Sequence, residues 1–238
     1  MWSTARSEAA LEAGLPVPID IKPMRSARRF RLRFDEASGR LKLTCPARAS
    51  RRTALTWAAD QRLWIDAQLA RAEPAQPFVP GAVVPIAGRD VCLRWSPTAP
   101  RTPQLRDDEL HCGGPLEGLS RRVETFLKRL ALQTMSPEVE EYARAAGVTA
   151  AAVSVGDPAS RWGSCSSARR IRLSWRLILA PPNVRRFVVA HEVAHLVHLN
   201  HGADFKALEA KLFGDGLAEA RSELRRIGPR LRRIGRGR

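Results

Sequence analysis

The stretch FVVAHEVAHLVHLNHGADF, Phe187 to Phe205, holds four of the five histidines in the chain. Within it His191, Glu192 and His195 form an H-E-x-x-H pattern. On an α-helix, at about 100° per residue, the two histidines fall within about 40° of each other and one turn apart, so both imidazoles can reach one ion. Glu192 is offset from that axis, where a carboxylate can take a proton from water activated by the metal without ligating the metal. His201 lies ten residues past His191, about 15 Å along a straight helix, too far to share the ion unless the helix ends first. Asn200 and Gly202 flank it, and both tolerate the left-handed backbone that terminates helices, so the bend is expected there. The outcome is a three-histidine site for one zinc ion per chain with an open fourth position. His198 sits on the same face as His195, but three ligands in line would spread over about 10 Å, so it is expected to support a ligand or to donate to the reacting oxyanion. Tyr142, the only tyrosine, and Arg161 are the other oxyanion candidates. A core helix of valine, alanine and leucine can carry one satisfied histidine; four unpaired imidazoles would be costly to bury.

Upstream, Pro181-Pro182-Asn183 announces the motif helix. Before it, Arg161 to Cys165, a polar turn through Ser166 to Arg169, and Ile171 to Trp175 read as a hairpin, with Val153 to Val155 a short strand. Leu119 to Met135 reads as a basic amphipathic helix. Ser136-Pro137-Glu138 predicts the start of a second one, with serine as cap and proline at the first position, ended by Gly147. His111 to Pro115 reads as a loop, and the domain boundary is placed there, with His111 a loop residue remote from the cluster.

Alternation of apolar and polar residues predicts strands at Ile19 to Ile21, Phe30 to Phe34 and Leu41 to Cys45, the last two joined by a turn at Glu36-Ala37-Ser38-Gly39. Residues 49–72 read as one helix capped by Ser50, with Trp57 and Trp64 packing, and ended by the prolines between Glu73 and Pro80. More short strands fall between Ala82 and Leu110. The fold class is α+β: a β-rich N-terminal half with one helix, then a compact helical domain with a small antiparallel hairpin. The division is 1–14 as lead-in, 15–112 as β-rich region, 113–227 as hydrolase domain and 228–238 as a solvated basic tail.

A net charge of +16 and a pI near 11.3 point to nucleic acid, phosphate groups or an acidic partner. Forty basic residues with only five lysines leave 35 arginines, a skew that coding bias explains equally well. No run approaches the roughly 18 apolar residues of a membrane span, and the N-terminus lacks a basic start with an apolar core, so a cytoplasmic protein without membrane attachment is expected. Cys45, Cys92, Cys112 and Cys165 stand singly, as reduced and half-buried thiols do. Nothing in the sequence sets the oligomeric state.

The runs Arg161-Trp162-Gly163-Ser164-Cys165-Ser166, Leu173 to Pro182, Val188 to Leu196 and Asn200-His201 resemble the YgjP-like family of metal-dependent hydrolases, which is similar to SprT-like proteases and other zincins. The resemblance is strong from about Leu119 to Arg226 and weaker before it, where Ser26-Ala27-Arg28-Arg29 looks like the family's opening. It implies a zincin-like domain in which His191, His195 and His201 hold zinc and Glu192 is the base. It also implies that the hairpin carrying Trp162, Gly163, Ser164 and Cys165 lies beside the metal as a substrate wall, its edge strand taking an extended peptide. Where the family continues with serine and tryptophan after the third histidine, this chain has Gly202 and Lys206, a change in the pocket wall behind His201.

A zinc metallopeptidase acting on a peptide or protein is therefore the leading expectation. An alternative keeps the metal but hydrolyses a nucleotide or phosphate ester clamped by arginines such as Arg31, Arg33, Arg170 and Arg172. A third is a nucleic-acid-binding protein with a structural metal, against which Glu192 speaks, since a structural zinc site closes its fourth position and needs no base.

Overall fold

A computed structural model describes residues 2–35, 38–72, 74–158 and 161–237. The chain divides into two compact units, Met1–Pro74 and Ala75–Arg238, and the α+β class holds, strand-rich first and helical later.

In the first unit, α1 (Trp2–Ala13) precedes a three-stranded sheet of β1 (Ile19–Met24), β2 (Arg31–Asp35) and β3 (Arg40–Pro46) in the order β1-β3-β2. The period-two pattern of β3 turns Leu41, Leu43 and Cys45 inward and leaves Lys42 and Thr44 partly exposed. β2 pairs antiparallel with β3, Phe34 opposite Leu41, as the alternation predicts, while β1 runs parallel to β3. Of the expected turn, Glu36 and Ala37 lie outside the described residues. The inner face is covered by Ala54, Leu55 and Ala58 of α2 (Arg51–Ala59) and Ile65 of α3 (Arg62–Arg71). The single helix expected over residues 49–72 is thus two. Ser50 caps the first through a 3.1 Å bond from the Thr53 amide, and the chain leaves helical geometry at Gln61 (φ −87°, ψ 17°). The polar pair Asp60-Gln61 interrupts the buried stripe, and Asp competes for backbone groups in a helix interior. Trp57 packs on Phe30; Trp64 is 38% exposed.

The second unit opens with β4 (Val83–Ile86), β5 (Arg89–Trp95), β6 (Gln104–Arg106) and β7 (Glu109–Cys112) in the order β4-β5-β7-β6. Their inward residues Val84, Ile86, Val91, Leu93, Leu110 and Cys112 share one core with the helices that follow. For that reason the compact units part at Pro74 rather than at the loop expected near residue 112. His111 is a strand residue of β7, with Nε2 3.0 Å from the Glu109 carboxylate.

Next comes α4 (Leu119–Ala145), continuous through Pro137. The second helix expected to begin at Ser136 does not exist as a separate element. Val123, Leu127, Ala131, Met135 and Val139 bury one unbroken stripe, and that burial outweighs the roughly 3 kcal/mol an internal proline costs. Then β8 (Ala152–Gly156), β9 (Gly163–Cys165) and β10 (Arg170–Ser174) form a sheet ordered β8-β10-β9. β9 and β10 make the expected antiparallel hairpin, and β8 runs parallel to β10.

The unit ends with α5 (Pro182–Ala194), α6 (Ala203–Phe213) and α7 (Leu217–Arg233). α5 is pinned to α4 by a buried ion pair, Arg185 Nη2 to Glu138 Oε1 at 2.8 Å. Of the solvated tail expected from residue 228, residues 228–233 are instead the last turns of α7, and Leu231 and the C-cap Ile234 lie in the core. Arg176, 2% exposed, donates to the carbonyl of Leu231 at 2.9 Å and to that of Ile234, and pairs with Asp157 at 2.7 Å. Among the described residues no helix is long and apolar enough to cross a membrane.

Candidate metal centre

α5 begins with Pro182 in its first turn, where a missing amide hydrogen costs nothing. It buries Val184, Phe187, Val188 and Val193, which leaves His191 and His195 at the margin of the core. The helix stops at Ala194, with His195 as its C-cap. The left-handed bend expected at Asn200 and Gly202 is absent: Asn200 is not among the residues of positive φ, and Gly202 is extended (φ −67°, ψ −171°) and caps α6. The reversal is made earlier, by turn bonds from the amides of Val197 and His198 to the Ala194 carbonyl at 3.1 and 2.9 Å.

This reversal brings His201 back over the helix end. One ligand nitrogen from each of His191, His195 and His201 lies within 4.8 Å of the others, and Nε2 of His191 and His201 stand 3.3 Å apart. Two nitrogens bound to zinc at about 2.0–2.1 Å and a tetrahedral angle are separated by about 3.3 Å. The donor set and its spacing therefore fit a zinc ion. Phe205, buried on α6, forms the floor, its ring centroid 5.1, 4.5 and 4.8 Å from those of His191, His195 and His201.

The far ring nitrogens fix the tautomers. His191 Nδ1 donates to Glu209 Oε1 at 2.7 Å, and His195 Nδ1 donates to the His198 carbonyl at 3.0 Å. Each bond holds the proton on Nδ1 and leaves the Nε2 lone pair for a metal. Glu209 is only 2% exposed, and Arg221 of α7 donates to its other oxygen at 2.7 Å. Burial pushes the Glu209 carboxyl up, but its bonds to His191 and Arg221 more than offset this and hold it below the usual range. His198 meets the site through its main-chain carbonyl.

Glu192 is 5% exposed. Burial pushes its carboxyl up to about 7, against the opposing charges of His191 and Arg161. Gly163 of β9 lies directly against it: a Cβ there would come within 2.4 Å of Glu192 Oε1. The strand thus passes beside the carboxylate, and β9 is an edge strand of its sheet.

The other expected residues are distributed as follows. Arg161 is exposed and close enough to act on Glu192 electrostatically. Ser164 and Cys165 pair with Arg172 and Ile171 of β10. The Cys165 thiol is pushed up by burial and by Glu192. The Trp162 ring faces α7, where it packs on Gly228 and under the Arg232 guanidinium, 4.2 Å from its centroid. Tyr142 is buried on α4 beneath the guanidinium of Arg186 at 4.9 Å; among the described residues no hydrogen bond or ring contact joins it to the histidines. The sequence reading missed Phe205, Glu209 and Arg221. The signal was present in part, since Phe205 and Glu209 are four residues apart and so share one face of α6.

Comparison with known families gives one match, to the description YgjP-like, metallopeptidase domain, over residues 28–227. The chain belongs to the YgjP-like metallopeptidase family. The matched span includes all three histidines, Glu192 and Glu209, and reaches into both compact units. Membership makes the chain a metallopeptidase-like hydrolase and implies a divalent metal, typically zinc, which the cluster of His191, His195 and His201 could hold. No curated protein and no solved structure matches the chain.

Proposed function

We infer that the protein is a zinc metallopeptidase in which Glu192 is the general base. The observation that carries this reading is the convergence of His191, His195 and His201 beside one buried carboxylate whose proton affinity is set near neutrality. Zinc held there supplies a Lewis acid that polarises a carbonyl and acidifies water toward a pKa of about 7. Glu192 accepts the proton of the attacking water and passes it to the leaving amine, a role suited to a group poised close to working pH. Glu209 and the His198 carbonyl hold the imidazoles in the ligating tautomer. The free edge of β9 suits an extended peptide, whose main chain would add to the sheet next to Glu192. Arg161, whose charge is felt at Glu192, is the candidate cation for a developing oxyanion. The arginine clamp of a phosphate-ester hydrolase has less support: the Arg172 guanidinium lies across Gly156 of β8.

Glu192→Gln is expected to retain one zinc per chain and to lose peptide hydrolysis by at least about 10³-fold. The assay pairs metal analysis with a peptide library and a nucleoside triphosphate panel. Phosphate release without peptide cleavage would overturn the reading.

A further inference from the structure

We propose that the first unit carries a docking site for single-stranded nucleic acid, built on the Phe30–Trp57 ring pair and the arginines beside it. A groove of about 780 Å³ opens where the chain enters β2 and leaves β3, lined by Arg28, Arg29 and Arg48 with Phe30 and Trp57. The two rings lie nearly parallel, 5.1 Å apart at 18°, and both are partly exposed. Among the described residues no guanidinium covers either ring, although arginines cover Phe126, Tyr142, Trp162, Trp175 and Phe187 elsewhere. Ser50 and Thr53 add hydroxyls at the rim.

The charge continues past the groove. Arg31 follows Phe30 directly, and the outer face of the sheet presents Lys22, Arg31 and Arg33 around Lys42. Arg31 is opposite Thr44, two residues before Pro46 of the groove, so the two surfaces meet at the strand ends. The acid on that face, Asp20, is already taken by Arg40 and Lys42. Some arginines elsewhere are matched by carboxylates, as in Arg94–Glu109, Arg186–Glu141 and Arg226–Glu223. None of Arg28, Arg29, Arg31, Arg33 or Arg48 forms an ion pair within 4.0 Å among the described residues. Unmatched arginines occur elsewhere on the chain; what sets this group apart is that Arg28, Arg29 and Arg48 line one groove with a stacked, partly exposed ring pair.

The ligand follows from that pairing of features. A row of cations suits any polyanion, but an accessible ring face is used only by a ligand offering unstacked flat bases between its phosphates. A duplex keeps its bases stacked inside, and an anionic membrane has charge without a π-face. The site lies wholly within Met1–Pro74 and is independent of the peptidase reading, so binding can be measured on the full chain carrying Glu192→Gln.

The test uses the zinc-loaded full chain and fluorescent DNA and RNA strands of about 12 nucleotides, a length within the usual single-strand site sizes. Binding is expected to favour the single strand over its blunt duplex by at least about tenfold. With four phosphates neutralised, affinity should fall about 50-fold between about 50 and 200 mM salt. Arg28→Gln, Arg29→Gln and Arg48→Gln together should weaken binding at least about tenfold and flatten the salt slope, with zinc content and thermal midpoint unchanged. Trp57→Phe, which keeps a ring, should bind but lose the tryptophan quenching seen on adding the strand. Absence of binding at low salt, indifference to the three substitutions, equal affinity for duplex, or preference for phosphatidylserine vesicles would each overturn the proposal.

Discussion

The proton on His191 Nδ1 is what frees its Nε2 for a metal, and Glu209 holds that proton. One carboxylate oxygen accepts from the imidazole and the other from Arg221, so the ring is oriented through α6 and α7 although it projects from α5. Glu209→Gln keeps an acceptor but removes the charge, and Glu209→Ala removes both. The alanine variant is expected to weaken zinc binding by about 10–100-fold, measured by chelator competition, with the glutamine variant between it and the unsubstituted protein. Equal zinc affinity in all three would dismiss the orienting role. At this scale the sequence was legible where function depends on contiguous spacing: His191, Glu192 and His195 are read from helix geometry, and His201 from the need for a third ligand. Glu209 was not, because nothing in a linear pattern says which of many glutamates will be folded back against a ring nitrogen.

Between elements, the approach of β9 to α5 is closest at Gly163. Any side chain there would collide with the Glu192 carboxyl, at 2.4 Å for its first carbon, and backbone on one side and helix on the other leave little room to relax. Gly163→Ala is expected to lower kcat by about 10²-fold, the scale of loss when a catalytic group is displaced by about 1 Å, while zinc content stays at one per chain. Loss of the metal together with activity would instead indicate general damage. The elements themselves were foreseen in proportion to their periodicity. The β2–β3 and β9–β10 hairpins follow from alternation and turn residues. The proline at position 137 misled because its local signal for a helix start is overruled by a buried stripe running from Val123 to Val139. The helix end at His195 was invisible for the opposite reason: no glycine or proline marks it, and the turn there is stabilised by main-chain bonds and by Phe205 beneath.

Across the whole second unit, Arg176 and Asp157 tie the sheet to the chain's last helix. Burial pushes the Asp157 carboxyl up, but the Arg176 hydrogen bond and the charges of Arg176 and Arg236 more than offset it, leaving it below its ordinary 3.8. As pH falls, the unfolded chain takes up this proton before the folded one. The contribution is therefore complete above about pH 4 and is lost as pH drops through the depressed value. Asp157→Asn is expected to be less stable at neutral pH and to lose less on acidification, read from urea midpoints between about pH 2 and 7; an unchanged acid limb would exclude the link. The domain division was the least legible feature of the sequence, since the loop near residue 112 and the prolines before residue 80 carry similar turn signals and only shared burial separates them. Gln76, at the start of this unit, pairs with Ile234 near its end. Proteins emerge from the ribosome N-terminus first, so this pairing forms only after Ile234 has left the exit tunnel, and Arg221, which bonds Glu209, arrives shortly before. The H-E-x-x-H helix is thus synthesised ahead of both the Arg221 contact to Glu209 and the pairing that joins the two ends of the unit.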